Sequence, residues 1–303
     1  MLADSDFRVP TLDPIDDPVL RERNIDLRML RLDRIHPQIS GNKWYKLKLN
    51  LLAAQSQAAY TILSFGGAYS NHLVALAAAS KLSGLRSIGV IRGEAPKVLN
   101  PALRFAQQQG MTLHFVSRSD YRNKEDPAFI ELLEQRFGNF YLIPEGGSNL
   151  LGIKGCAEIA DHLRWQRKDS PHLVLMACGT AATLTGVVSA LPSDCEAIGV
   201  SVLKGPDSLS PQVNSWLHAL GCTPAARWSI NTQFHHGGYG KNNPDLNDFM
   251  MAFEARTGIA LEHVYTGKMM WGLYKMIESG EIAAGSELIA LHTGGLMQNI
   301  SSW

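Results

Sequence analysis

Apolar and polar positions along the chain follow two alternating patterns. Short apolar runs recur at 61–65, 87–92, 112–116, 140–143, 173–177, 197–202 and 287–292, and their length and β-branched content predict buried strands. Between and beyond them, apolar residues return every three or four positions over 44–57, 71–82, 101–109, 128–135, 155–167, 182–190, 211–220, 245–256 and 268–279, which predicts helices. Strands separated by single helices predict βαβ units, largely parallel sheets and right-handed crossovers. Ligands of such sheets sit beyond the carboxyl ends of the strands. No repeat, low-complexity tract or linker interrupts the pattern, so composition alone places no domain boundary.

Composition narrows the class. A chain of 303 residues suits one large or two medium domains and buries enough surface to need no disulfide or metal. Charged residues make up 18% of it, in keeping with buried strands and an enclosed pocket. Basic and acidic residues number 28 each, which argues against nucleic acid or an anionic membrane as a partner. No apolar run nears the ~20 residues of a membrane helix. The opening Met-Leu-Ala-Asp-Ser-Asp lacks the basic and apolar regions of an export signal. A periplasmic-type binding protein shares the α/β pattern but carries such a signal, so a cytoplasmic enzyme is expected. Cys156, Cys178, Cys195 and Cys222 show no ligand spacing and are expected to be reduced thiols.

Candidate chemistry gathers where strands hand over to helices. Ser40-Gly41-Asn42-Lys43-Trp44-Tyr45-Lys46-Leu47 opens the first long helix. Burial and the positive end of the helix dipole help Lys43 lose its proton, as an imine-forming amine must. A solvated first-turn lysine is the plainer alternative, and with Lys46 and Lys48 nearby, charge does not single out the reactive amine. Ser64-Phe65-Gly66-Gly67-Ala68-Tyr69-Ser70-Asn71-His72 leads from a strand through glycines into a helix that Ser70 would cap. Its backbone N–H groups suit a carboxylate or a ring oxygen. His72 reads either as a base or as a structural first-turn histidine.

Cys178-Gly179-Thr180-Ala181-Ala182-Thr183 follows another apolar strand and makes a nest of N–H and hydroxyl donors suited to phosphate. It is neither a Walker A loop nor GxGxxG, so a smaller phosphate-bearing cofactor fits better than a nucleotide. Three later loops carry polar side chains: Gly237-Gly238-Tyr239-Gly240, Val264-Tyr265-Thr266-Gly267-Lys268 and Leu291-His292-Thr293-Gly294-Gly295. Adjacent His235 and His236 have no companion carboxylates or cysteines, and no metal is expected.

Taken together, Gly41-Asn42-Lys43, Gly66-Gly67 with Ser70-Asn71-His72, Val264 to Lys268 and His292-Thr293-Gly294-Gly295 resemble the 1-aminocyclopropane-1-carboxylate deaminase and D-cysteine desulfhydrase family. The resemblance implies a two-domain α/β enzyme of the tryptophan-synthase-β-like type (fold type II), each domain a mostly parallel twisted sheet flanked by helices. The large domain is expected over 1–45 and 149–303 and the small one over 46–148. The implied cofactor is pyridoxal 5′-phosphate, with Lys43 as the lysine that carries it. Asn71 matches the asparagine on its ring oxygen, and Cys178, Gly179, Thr180, Ala181, Ala182 and Thr183 occupy the phosphate loop. Thr266 falls near the pyridine nitrogen and Thr293 against the cofactor face. Ser70, with Asn71, His72 and Tyr69, falls at the substrate carboxylate, and Ser70 also stands as a catalytic group with Tyr239 and Tyr265. The family usually has glutamine where this chain has Tyr69.

A small amino acid is the implied substrate, a homodimer the implied assembly, and a carbon–sulfur lyase or deaminase, in the lyase or hydrolase class, the implied activity. With D-cysteine, loss of the Cα proton and expulsion of sulfide lead to pyruvate and ammonia. The cyclopropane acid has no Cα proton and would give 2-oxobutanoate and ammonia by another opening. Relatives resembling the deaminase carry glutamate and leucine where this chain has Thr266 and Thr293. A neutral hydroxyl near the pyridine nitrogen weakens the electron sink, so D-cysteine β-elimination is expected to be the faster reaction. A non-catalytic cofactor-binding protein of the same fold is the other alternative, and the presence of Lys43, Ser70, Tyr239 and Tyr265 argues against it.

Overall fold

The structure, a computed structural model, describes residues 2–163 and 172–295. In chain order its elements are β1 (Leu12–Pro14), α1 (Pro18–Glu22), β2 (Asp26–Leu30), α2 (Lys43–Ser56), β3 (Thr61–Gly66), α3 (Asn71–Leu82), β4 (Arg86–Arg92), α4 (Pro101–Gln108), β5 (Met111–Val116), α5 (Pro127–Phe137) and β6 (Tyr141–Ile143). The second half continues with α6 (Leu150–Ala157), β7 (His172–Cys178), α7 (Ala182–Ala190), β8 (Cys195–Ser201), α8 (Leu209–Ala219), β9 (Arg227–Asn231), α9 (Pro244–Thr257), α10 (Thr266–Ser279) and β10 (Glu287–Leu291). Every strand expected from the apolar runs is present. The helix expected over 155–167 begins earlier, as α6, and tightens into a 3₁₀ turn at Glu158–His162. The last residues of that expected helix, 164–167, lie outside the described ones.

The strands form two sheets. One, ordered β5-β4-β3-β6, is entirely parallel and drawn from the middle of the chain. The other, ordered β1-β2-β10-β7-β8-β9, joins the two ends of the chain and is parallel except for β1. This matches the mostly parallel α/β architecture expected. All six residues of β3 are buried, as in a parallel strand covered by helices on both faces.

The strands that patterning passed over are the ones that break it. β1 is a three-residue edge strand ending in proline, where a missing N–H costs least. β9, at the other edge, is only partly covered. β2 carries Arg28 inside an otherwise apolar run; Glu287 of neighbouring β10 pairs with it, and both are buried. A charge inside a core is tolerated only when paired in this way.

Helix packing brings α2 to the site. α2 lies against α6, and α6 against α7. The first contact is close because Gly155 has no Cβ, which would stand 1.9 Å from the Tyr45 carbonyl oxygen. One apolar cluster then runs through both sheets, with Leu76 and Ile91 on one side and Val174 and Leu184 on the other. Among the described residues, no helix is long and apolar enough to cross a membrane.

Candidate active site

A cleft of about 340 Å³ opens where the carboxyl ends of the two sheets face each other. It gathers side chains from residues 42 to 294, among them Lys43, Ser70, Asn71, His72, Gly179, Thr180, Thr183, Tyr239, Tyr265 and Thr293.

Lys43 is the first residue of α2. The chain enters that helix through Gly41, whose φ of +71° and whose position, where a Cβ would lie 1.9 Å from the Thr293 carbonyl oxygen, both require glycine. Asn42 accepts a hydrogen bond from the Lys43 amine and donates one to the Thr183 hydroxyl at 2.8 Å, tying α2 to α7. Burial, and next the charge of Lys46, bring the Lys43 ammonium down to about 7, so a large fraction is free amine at neutral pH.

The three nearby lysines have different fates. Lys46, one turn on, lines the cleft and donates to the Thr180 hydroxyl at 3.3 Å. Lys48 points away and pairs with Asp4 at 3.3 Å and with Glu158. Among the described residues neither Lys43 nor Lys46 has a carboxylate partner, so this cleft is set up to receive an anion.

The phosphate-loop candidates face both amines. β7 ends at Cys178, and α7 begins at Ala182 with no side chain capping its first N–H groups. Ser148 donates to the Thr180 hydroxyl at 2.9 Å. An uncapped helix start, two threonine hydroxyls and an ammonium with no carboxylate partner among the described residues together fit a phosphate. The Cys178 thiol turns instead toward Gly199 of β8, where a Cβ would meet it at 2.8 Å. Burial pushes that thiol up to about 12, which leaves it inert. Ala181 and Ala182 are fully buried behind the loop.

On the opposite wall, Ser70 caps α3 by accepting from the Leu73 N–H at 3.3 Å, and Asn71 and His72 follow. Ser64 donates its hydroxyl hydrogen to the Ile143 carbonyl at 2.7 Å, so at 2.9 Å it accepts from His72 Nε2–H. His72 is then neutral with a bare, buried Nδ1; burial and the nearby Lys43 and Lys46 charges lower it to about 3. At that value it orients rather than removes protons. Tyr69 does not line the cleft and is 69% exposed, which departs from the expected place at the substrate carboxylate.

Tyr239 and Tyr265 meet edge to face with hydroxyls 3.4 Å apart. Burial, and next the charge of Tyr239, hold the Tyr265 phenol well above its ordinary value, so it stays a proton donor. Lys268, fully buried, donates to the Gly238 carbonyl at 2.7 Å and steadies the Tyr239 loop. Thr266 differs from expectation. Its hydroxyl accepts from the Glu262 N–H at 3.0 Å and donates to the Glu262 carboxylate at 3.2 Å, and the residue is fully buried outside the cleft lining.

Sequence reasoning missed Asn42, Arg92, Glu145 and Leu203, which also line the cleft. Arg92 ends β4 and Glu145 follows β6 by two residues. The rule that ligands bind beyond strand carboxyl ends could have found both. His235 and His236 serve turns, accepting from the Gly237 N–H at 3.0 Å and meeting Asn243 at 3.2 Å.

Comparison with known proteins agrees with this chemistry. A family model described as pyridoxal-phosphate dependent enzyme matches residues 20–294. The bifunctional D-cysteine desulfhydrase/1-aminocyclopropane-1-carboxylate deaminase, mitochondrial, of Arabidopsis thaliana is 30% identical over 294 residues, covering 90% of this chain and 73% of its own. A D-cysteine desulfhydrase of Yersinia pestis (strain Pestoides F) is 28% identical, covering 88% of this chain and 86% of its own. The crystal structure of an ACC deaminase homologue superposes with a TM-score of 0.82 at 24% identity, covering 96% of this chain and 91% of that one. The names of these relatives speak for desulfhydrase and deaminase chemistry and give the hydrolase class no support. The residues present fit the cofactor: the Lys43 amine would hold it, and Lys46, Thr180, Thr183 and the α7 N-terminus would take its phosphate. With these residues brought to one cleft, and with the family model spanning nearly the whole chain, this protein belongs to the pyridoxal-phosphate-dependent enzyme family.

Proposed function

We propose that the chain is a lyase of the D-cysteine desulfhydrase type, releasing pyruvate, ammonia and sulfide. The observation that carries this reading is Lys43, an amine brought to about 7 in a cleft that holds no carboxylate partner for it among the described residues. Bound pyridoxal phosphate supplies an electron sink conjugated to the substrate's amino group.

The chain's own residues do the rest. With the cofactor and substrate bound, Lys43 would take the Cα proton on its Nζ, and a general base so placed is worth typically ~10²–10⁴-fold. The electron pair left behind forms the Cα–Cβ double bond as the Cβ–S bond breaks. The sulfur leaves as hydrosulfide, which carries the negative charge far better than a carbon or hydroxide leaving group would. Tyr265, held protonated and backed by Tyr239, is the donor available to the departing sulfur. Ser70 and Asn71 orient the carboxylate, and the helix start at Ala182 with Thr180 and Thr183 holds the phosphate end. The released enamine then adds water and gives pyruvate and ammonia.

The alternative substrate, 1-aminocyclopropane-1-carboxylate, has no Cα proton for Lys43 to take. This favours D-cysteine on grounds independent of Thr266, whose hydroxyl is committed to Glu262. The division into 1–45 with 149–303, and 46–148, is supported by sheet membership. A cytoplasmic location is supported by four cysteines without a disulfide. A homodimer is part of this proposal and rests on the resemblance alone.

The test compares sulfide and pyruvate from D-cysteine with 2-oxobutanoate from the cyclopropane acid in one preparation. Faster 2-oxobutanoate formation would overturn the substrate assignment. Borohydride reduction and peptide mapping must place the cofactor on Lys43, and Lys43→Ala must lose both the label and turnover. Label on Lys46 would move the reactive amine.

A further inference from the structure

The phosphate candidates all lie on the wall made by α2 and α7. The opposite wall carries one further cation, which has no ion pair among the described residues. Arg92 is the last residue of β4 and lines the cleft. Arg92 is exposed, and its guanidinium lies 5.8 Å from the centre of the buried Tyr121 ring, a contact that leaves its charge intact. Glu145, the carboxylate that lines the cleft, pairs instead with Lys124 at 3.6 Å. Among the described residues Arg92 has no ion pair.

Register decides what Arg92 faces. β3 and β4 pair Gly66 with Ile91, so Gly67 lies beside Arg92, and a Cβ on Gly67 would stand 3.7 Å from Arg92 Nη2. The guanidinium thus lies beside the loop that runs from Gly67 to Ser70, and both of these end residues line the cleft. A guanidinium fork matches a carboxylate in shape and charge. The second anion a cofactor-dependent amino-acid enzyme must accept, after the phosphate, is the substrate's carboxylate.

We propose that Arg92 is a specificity-determining residue, supplying the counter-charge for the substrate's carboxylate across the cleft from the phosphate wall. The proposal rests on the amino-acid reading above and names a residue that reading does not use.

Glycine and glycinamide, which have no leaving group, test it by calorimetric titration of the holoenzyme. Arg92→Leu should weaken glycine binding about 10- to 100-fold, the range for losing a charge-assisted hydrogen bond, and leave glycinamide within about threefold. Arg92→Lys should restore part of the loss, since it returns the charge without the fork. Equal weakening of glycine and glycinamide would show a merely structural role and overturn the proposal. Unchanged glycine binding in Arg92→Leu would overturn it as well. Failure of D-cysteine turnover alone would fall on the lyase reading, because the glycine comparison needs no turnover.

Discussion

Two helices of this protein begin in the same way and end their first turns differently. α3 and α7 each follow a central parallel strand, each is entered through glycine, and each opens on the same cleft. α3 is closed by its own Ser70, which accepts from the Leu73 N–H. α7 has Ala181 at the equivalent place and no cap, while its neighbouring hydroxyls face Lys46 and Asn42. Doing without a cap costs about 1 kcal/mol of helix stability. A helix start left open beside a lysine with no carboxylate partner among the described residues is therefore a receptor for an anion, whereas the capped start is a finished piece of scaffold that only orients what lies beside it.

The sharpest way to break that distinction is to remove the hydroxyls at α7. Thr180→Val with Thr183→Val is expected to weaken pyridoxal phosphate binding about 10- to 100-fold while moving Tm by no more than about 3 °C. Equilibrium dialysis and thermal melts read the two effects separately, and unchanged cofactor affinity would place the phosphate elsewhere.

A smaller effect concerns pH. The Lys43 amine is pulled down to about 7 by burial first and by the Lys46 charge next. Its reactive neutral fraction therefore falls about tenfold for each pH unit below 7. Lys46→Met removes a positive neighbour, so the Lys43 value must rise and the half-maximal pH of cofactor uptake must move upward. A midpoint that stays put or moves downward would show that Lys46 does not act on Lys43.

The smallest effect sits at the capped helix. Ser70→Ala should cost about 0.5–2 kcal/mol in denaturant unfolding and change cofactor affinity less than about threefold. A loss of affinity larger than that of the threonine variants would erase the contrast between α3 and α7.

Much of the site was legible because its signals are local. An apolar strand, a glycine turn and a small-residue helix start are contiguous at 61–72 and 173–183, and both were recognised as ligand-facing turns. Lys43 carried the same kind of signal from its place at a helix start. What escaped depends on partners far away in the chain. Arg28 masked β2 because its neutralising carboxylate, Glu287, lies at the other end of the sequence. The resemblance puts Thr266 near the pyridine nitrogen, whereas in the fold its hydroxyl bonds to Glu262. The resemblance puts Tyr69 at the substrate carboxylate, yet the turn leaves it exposed.

The alternation of strand and helix, the parallel character of the sheets and the places where chain and ligand could meet follow from short-range periodicity and turn chemistry, and these are written in neighbouring residues. The choice among Lys43, Lys46 and Lys48 was open at that level. Charge and helix position are nearly the same for all three, and only packing of α2 against α6 turns two toward the cleft and one toward Asp4 and Glu158. Arg92 reached the cleft the same way, through the β3–β4 register, and neutralisation by partners remote in sequence decides which charges are spent on the fold and which remain for a ligand.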